Sequence, residues 1–195
     1  MPVMGLKERL VRFRSFWIFP ILAVVLLYTS FRIEPGNRPW ALVWLIPLGL
    51  VMWTLLEYGL HRFIFHIQME LQNPKLKEMV NASHLSHHAA PRDPTKLLVR
   101  PWYGFFISGL LFALLYAVSG CLFSTAGVLT GIWAGFLYYE AVHYRVHLTH
   151  SASGLIAWQR RRHFYHHFTN KDRCFGVTSP LWDHVFRTQW PAQRR

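Results

Sequence analysis

The stretch "STAGVLTGIWAGFLYYEAV", residues 124–142, is apolar over nearly its whole length. A helix needs about 20 residues to cross a bilayer, so this stretch is long enough, or nearly so. Three further stretches have the same character: residues 15–31, 39–56 and 102–119. Tight connections, "RIEPGNRP" and "GCLF", join the four stretches in pairs. The sequence therefore predicts an all-α integral membrane protein with four transmembrane helices in two hairpins.

Lysine and arginine are unevenly distributed around these spans. The chain of 195 residues is 52% hydrophobic yet has a formal net charge of +12. Of its 21 Lys and Arg residues, all but two lie before the first span, between the second and third, or after the fourth. Because positive loops stay in the cytoplasm, we expect both termini and the central segment to be cytoplasmic, in a bacterial inner membrane or an endoplasmic reticulum. The charge is thus chiefly a topology signal, and no recognised nucleic-acid motif accompanies it.

These features predict a simple domain organisation. Residues 1–14 form a basic cytoplasmic N-terminus, and residues 15–195 form a single membrane domain. Segments 57–100 and 143–188 of that domain are cytoplasmic and carry the histidines. No small-residue cleavage site follows the first apolar run, so we interpret it as an uncleaved span. Cys121 and Cys174 fall on opposite sides of the membrane in this topology, so they are not expected to pair.

In this predicted topology, all 12 histidines fall on the cytoplasmic side or at that face of a span. Ten of them form four clusters, spaced H-x4-H, H-x-x-H-H, H-x3-H and H-x-x-H-H: His61, His66, His84, His87, His88, His143, His147, His163, His166 and His167. Residues three or four apart share a helix face, so most clusters predict side-by-side imidazoles. His61 and His66, five apart, converge only if the helix is distorted where it leaves the membrane. We therefore predict a cytoplasmic helical cap rich in histidine.

A metal centre explains these clusters better than the alternatives. A pH sensor needs protonated imidazoles, and crowding lowers their pKa values. A structural zinc site uses about four ligands, often cysteines. Two metal ions with open coordination positions account for ten histidines, and imidazole suits zinc, copper, iron and nickel. Glu57 and Glu140, at the membrane ends of their spans, are candidates for accepting ring N–H bonds, or else ordinary interfacial carboxylates.

Four segments in order, "EYGLHRFIFH", "HLSHHAAPRDPTKLLVRP", "YYEAVHYRVH" and "HFYHHFTNKDRCFGVTSPLWDHVFRT", resemble the fatty acid hydroxylase / sterol desaturase superfamily. The similarity runs from about residue 55 to 188 and is greatest to the fatty acid 2-hydroxylases. It implies an oxidoreductase that uses two iron ions, O2 and electrons to hydroxylate a lipid acyl chain. The ten clustered histidines match the metal ligands, whereas His150 and His184 fall outside the pattern. Zinc readily occupies histidine sites as well, so the sequence leaves open which metal the purified protein would hold.

The resemblance also implies partners. Many relatives carry a fused cytochrome b5 domain with an HPGG haem motif, which this sequence lacks. We therefore expect a separate electron donor of the cytochrome b5 or ferredoxin type, and a lipid substrate that enters from the bilayer. The basic residues at 160–162, Lys171 and Arg173 are candidates for attracting an acidic donor, or for contacting lipid. The alternatives are a sterol or other lipid desaturase and, with less support, a metal transporter, whose sites usually lie along the middle of the spans.

Overall fold

The computed structural model describes residues 13–34, 36–66, 84–99, 101–149 and 153–191. Within these ranges the chain forms helices and turns, and no strand. The α-helices are α1 (Ser15–Ile33), α2 (Leu42–Gly59), α3 (Ser86–Ala89), α4 (Pro101–Ser119), α5 (Leu122–Leu148), α6 (Gly154–Phe168) and α7 (Leu181–Val185). A 3-10 turn, Pro39–Ala41, precedes α2, and a π-helix, Leu60–Phe65, continues it. The all-α prediction is confirmed.

Four stretches of helix among the described residues are long and apolar enough to cross a membrane: Ser15–Ile33, Pro39–Phe65, Trp102–Ser119 and Leu122–Leu148. They coincide with the four predicted spans, so the chain is a multi-pass membrane protein. The second and fourth run past the predicted ends, 56 and 142, because helical hydrogen bonding continues through the polar residues that follow. Both extensions carry histidines.

The chain forms two compact units. The first comprises Met1–Trp53 with Leu98–Leu137, and the second comprises Thr54–Leu97 with Tyr138–Arg195. Helices α2 and α5 begin in the first unit and end in the second. All ten clustered histidines belong to the second unit.

Glycines let α2 and α5 approach closely within the first unit. A Cβ atom on Gly49 would lie 2.0 Å from the carbonyl oxygen of Val128, and one on Gly131 would lie 2.1 Å from that of Ile46. Neither site has room for a side chain. Small residues at helix contacts are typical of membrane bundles, where close backbone packing replaces the hydrophobic effect as the cause of association.

Aromatic packing joins the remaining helices of this unit. The Phe19 ring of α1 is buried and lies 5.6 Å, centroid to centroid, from Phe105 of α4 and 5.5 Å from Trp133 of α5. Elsewhere these helices expose large apolar side chains, including Val24 and Val118. An apolar exterior of this kind suits contact with lipid.

A carboxylate connects the two hairpin turns of the first unit. Glu34 follows α1 and accepts hydrogen bonds from the amides of Leu122 and Phe123, at 2.9 and 3.0 Å. These amides begin α5, where the first N–H groups of a helix have no partner within the helix. The bonds from Phe123 and Leu122 hold the pKa of Glu34 at about 2. Glu34 therefore caps α5 from the neighbouring hairpin.

Candidate metal centre

The ten clustered histidines come together in two groups within the second unit. The first histidine group contains His61, His66, His84, His88 and His166. The second histidine group contains His87, His143, His147, His163 and His167. In each group the candidate ligand atoms all lie within 4.8 Å of one another. His184 lies outside both groups, exposed, with its Nδ1 2.8 Å from the Pro180 carbonyl oxygen, and His150 is outside the described residues.

Each H-x-x-H-H motif is divided between the groups. His84 and His88, the outer histidines of the first motif, belong to the first group, while His87 belongs to the second. The motif on α6 is divided in the opposite sense: its outer pair belongs to the second group and its middle histidine, His166, to the first. Each motif therefore contributes two histidines to one group and one histidine to the other. Each group contains histidines from three parts of the chain.

A π-helix brings His61 and His66 together. Leu60–Phe65 hydrogen-bonds in the i→i+5 pattern, so residues five apart lie on the same face. The two ring centroids are 5.0 Å apart. The distortion that the H-x4-H spacing requires is thus present where the second span ends. In the second group, His143 and His147 sit one turn apart on regular α5, with centroids 4.9 Å apart.

The Nε2 atoms face one another inside each group. In the first group, the His84 Nε2 lies 3.0 Å from that of His61, 3.1 Å from that of His66 and 2.9 Å from that of His88. In the second, His143 and His87 are 3.0 Å apart and His147 and His163 are 2.8 Å apart at the same atoms. One N–H of His84 cannot satisfy three neighbouring nitrogens.

These spacings fit a metal ion. Two ligand nitrogens about 2.1 Å from an ion and at right angles to each other are about 3.0 Å apart. A cation shared among the lone pairs therefore accounts for the crowded Nε2 atoms better than hydrogen bonds between the rings do. The donor set is imidazole alone, which suits iron and zinc among others.

Backbone carbonyls fix the tautomer of three rings. The Nδ1 atom donates to the Phe175 carbonyl in His61, at 2.5 Å, to the Arg173 carbonyl in His166, at 2.8 Å, and to the Leu97 carbonyl in His143, at 3.0 Å. A carbonyl can only accept, so the proton sits on Nδ1 and leaves a lone pair on Nε2. A hydrogen bond at the far nitrogen is the usual way in which a protein orients a metal-ligating histidine.

The environment keeps the histidines outside the spans neutral. Burial, with a smaller contribution from Lys171, lowers the pKa of His66 to about 4. Burial, followed by the charge of His66, lowers the pKa of His88 to about 4. The pKa values of His84 and His163 are also lowered, chiefly by burial. Neutral imidazole is the form that binds a metal, so the site is electrostatically prepared for one.

The two candidate glutamates have different surroundings. Glu57 is buried and accepts hydrogen bonds from the amides of Val177 and Thr178, at 2.5 and 2.8 Å, and from the Thr178 hydroxyl. It therefore contacts the loop after α6, and not an imidazole, through these bonds. Glu140 is buried on α5, three residues before His143. Its role near the histidines stays a prediction.

Sequence reasoning missed a buried ion pair beside the first histidine group. Arg162 donates to Asp183 at 2.6 Å, and both side chains are at most 4% exposed. Asp183 also accepts from the amides of Phe175 and Gly176, at 2.9 and 3.1 Å. Arg162 is thus removed from the predicted basic surface, because the RRR run places its third arginine on the buried face of α6. The closing "FGVTSPLWDHVFRT" was the one available signal for Asp183.

The family model "Fatty acid hydroxylase" matches residues 46–188. A dihydroceramide fatty acyl 2-hydroxylase of Arabidopsis thaliana is 32% identical over 178 residues, which cover 88% of this chain and 72% of the plant protein. A ceramide very long chain fatty acid hydroxylase of Saccharomyces cerevisiae is 30% identical, over 89% of this chain and 45% of the yeast protein. The fatty acid 2-hydroxylase of Homo sapiens is also 30% identical, over 87% of this chain and 46% of the human protein. The chain thus spans less than half the length of the last two relatives.

A solved structure has the same fold. It is that of full-length scs7p, in which only the hydroxylase domain is visible. The match has a TM-score of 0.79 and 25% identity, and covers 96% of this chain and 70% of that one. Sequence and structure comparisons therefore point to the same group of proteins.

Proposed function

The chain belongs to the fatty acid hydroxylase family, and we propose that it adds a hydroxyl group to carbon 2 of a fatty acid or of a sphingolipid acyl group. It is a membrane oxidoreductase with a lipid substrate, as its relatives are. The names of the plant, yeast and human relatives support the choice of a fatty acyl chain, and those of the plant and human relatives support carbon 2. The observation that carries the proposal is the pair of five-histidine groups, whose Nε2 atoms converge at the spacing of metal ligands.

Two iron ions are proposed, one in each histidine group. All ten grouped histidines are the proposed ligands, with Nε2 as the ligand atom where Nδ1 is held by a carbonyl. Zinc binds the same donor set and is expected to fill the sites when iron is scarce. When bound, the iron supplies the O2-dependent chemistry that oxidises an unactivated C–H bond.

The protein's own residues prepare the site for that chemistry. Buried rings such as His163 and His166, at most 1% exposed, keep bulk water away from the site, which limits side reactions of an oxidising centre. The Phe175, Arg173 and Leu97 carbonyls hold three rings in one tautomer, so the ligands need no rearrangement when an ion binds. The protein thus contributes orientation and exclusion of water, and the metal contributes reactivity.

Electrons and substrate are proposed to arrive from different sides. The acyl chain enters from the bilayer, and an acidic carrier of the cytochrome b5 or ferredoxin type docks from the aqueous side. Support for the carrier comes from exposed Arg161 and Lys171, with half-exposed Arg160 and Arg173 beside them. Such charges steer an acidic partner and make the association rate fall with added salt. Arg162 is not part of this surface.

The orientation follows the charge distribution. We propose that both termini and the histidine-bearing segments face the cytoplasm, in a bacterial inner membrane or an endoplasmic reticulum. Residues 15–195 would then act as one hydroxylase domain behind the basic residues 1–14.

Lipid analysis of cells that express the chain tests the proposal. The wild type should produce 2-hydroxylated acyl chains, detected as the gain of one oxygen, whereas loss of two hydrogens would indicate a desaturase. The His166→Ala/His167→Ala variant removes one ligand from each group and should lose the product. His184→Ala, which changes an exposed histidine outside both groups, is the control. Product formation by the double variant at the wild-type level would contradict the proposed site.

A further inference from the structure

The loop after α6, Arg173–Thr178, links the metal centre to two buried carboxylates. Cys174 in this loop has φ of 59°, a left-handed conformation that is uncommon outside glycine. Gly176 has no room for a side chain, because a Cβ atom there would lie 2.0 Å from the Ser179 carbonyl oxygen. Strained backbone of this kind persists only where surrounding interactions hold it. Two buried side chains supply most of those interactions.

Asp183 is the first of them. Its side chain is 0% exposed, and its two oxygens accept from the Phe175 amide, the Gly176 amide and the Thr188 hydroxyl, the last at 2.8 Å. The Arg162 guanidinium balances its charge at 2.6 Å. In addition, the Cys174 amide donates to the Thr188 carbonyl at 2.8 Å. The middle of the loop is thus fixed to one buried carboxylate.

Glu57 is the second. It reaches the loop from α2 and accepts the amides of Val177 and Thr178. Together, Asp183 and Glu57 accept four consecutive backbone amides, from Phe175 to Thr178. Amide–carboxylate hydrogen bonds are among the stronger ones in proteins, because one partner is charged.

The same loop orients ligands of one histidine group only. Its Phe175 carbonyl accepts from His61 and its Arg173 carbonyl from His166, and both histidines belong to the first group. The second histidine group takes its described ring-to-carbonyl bond from another part of the chain, where His143 donates to Leu97. The two carboxylates hold a loop that orients histidines of the first group, whereas the described carbonyl bond of the second group does not involve that loop.

We propose that Asp183 and Glu57 are positioning residues for the metal ion of the first histidine group, acting through the Arg173–Thr178 loop, and that the second group binds its ion independently of them. This inference rests on the proposed metal centre. Loss of an outer hydrogen-bond partner typically lowers metal affinity about 10- to 100-fold. Because the two carboxylates act through a loop, we expect the lower end of that range at the first group and no change at the second.

The metal content of the purified 195-residue chain tests this. The chain is loaded with Zn²⁺, dialysed against a competing chelator, and its zinc measured by mass spectrometry. The wild type should retain about two ions and Asp183→Asn about one. Glu34→Gln is the matched control, since Glu34 also accepts two backbone amides but contacts no histidine through them; it should retain the wild-type zinc.

Double variants identify which ion is lost. Asp183→Asn combined with His84→Ala should lose no more zinc than His84→Ala alone, because both changes act on the first group. Asp183→Asn combined with His163→Ala should lose both ions. The inference is overturned if Asp183→Asn keeps both ions, or if it adds to His84→Ala as strongly as to His163→Ala. A protein that merely unfolds would lose both ions in every combination, which circular dichroism and gel filtration detect.

The same single and double variants can be made with Glu57→Gln, which leaves the ion pair of Arg162 and Asp183 intact. The inference can therefore be tested even if Asp183→Asn fails to fold. The expected and contrary outcomes are the same as for Asp183→Asn. Zinc binding needs neither lipid nor O2, so the result is separable from the proposed reaction. A chain that binds two zinc ions in this pattern but hydroxylates no lipid would refute the proposed function and leave the inference standing.

Discussion

His88 and His167 stack face to face, with ring centroids 4.0 Å apart and planes 9° apart, although they belong to different histidine groups. The two groups therefore adjoin one another, and neighbours in the sequence serve different groups. His87 contacts His167 at 3.2 Å between Nε2 atoms, whereas His88 contacts His84 at 2.9 Å.

Replacement of these two neighbours should affect different ions. We expect His87→Ala to release the ion of the second group and His88→Ala that of the first, so each single variant retains about one zinc ion. The His87→Ala/His88→Ala variant should retain none. The His84→Ala/His88→Ala variant removes two ligands from one group and should still keep the other ion. Zinc content after dialysis measures this, and loss of both ions from His84→Ala/His88→Ala would contradict the division of the motif.

Arg161 and Arg162 should differ sharply despite being neighbours. Arg162→Met leaves Asp183 charged and buried without its partner, and breaking such a pair costs about 3–5 kcal/mol of unfolding free energy. Arg161→Met changes an exposed side chain and should leave stability within about 0.5 kcal/mol of the wild type. Denaturant unfolding of the solubilised protein measures both. Equal stability of the two variants would argue against the buried ion pair.

Close packing of α2 on α5 should make Gly131 intolerant of a side chain. A Cβ atom there meets the Ile46 carbonyl oxygen at 2.1 Å, so Gly131→Ala forces the helices apart, at a cost of about 1–3 kcal/mol. Gly109→Ala on α4 is the control, because a Cβ atom there has no neighbour within 4 Å among the described residues. Thermal unfolding should show a lower midpoint for Gly131→Ala only.

Glu34 should make stability depend on pH in the acid range. Its pKa is about 2 in the folded chain against an ordinary 4.5, because the Phe123 and Leu122 amides bind the ionised form. The contribution of ionised Glu34 to the stability of the folded chain is therefore complete above about pH 4.5 and is lost as the pH falls towards 2. Glu34→Gln should lower the melting temperature at pH 7 and flatten its fall between pH 4.5 and 2.

The exposed carboxylate variant Asp172→Asn is the control for Glu34→Gln. It should retain the wild-type dependence of melting temperature on pH. An unchanged profile in Glu34→Gln would show that the amides at the start of α5 do not depend on this carboxylate.

Much of the fold could be predicted because bilayer crossing requires a long apolar helix, and four stretches of the described residues meet that requirement. The ends of the helices could not be predicted in this way, since apolarity stops before the helix does: α5 continues through His143 and His147 to Leu148. The sequence shows that His61 and His66 converge only if the helix is distorted there. It does not predict the π-helix itself, because the H-x4-H spacing does not determine the helix type. The contacts of Asp183 with Arg162 and with the loop after α6 could not be predicted, because backbone amides take part in them and leave no residue signature in the sequence.

The sequence by itself determined the spans, the ten candidate ligands and the family, because helix periodicity and apolar length are local properties. The tertiary structure decided how the ligands are divided. Residues three and four apart share a helix face, so the spacing of H-x-x-H-H cannot separate its middle histidine from its outer pair. That separation arises because the two motifs meet in the folded chain. The ring of His87 lies beside His167 in the second group, and the ring of His166 lies beside His66 in the first.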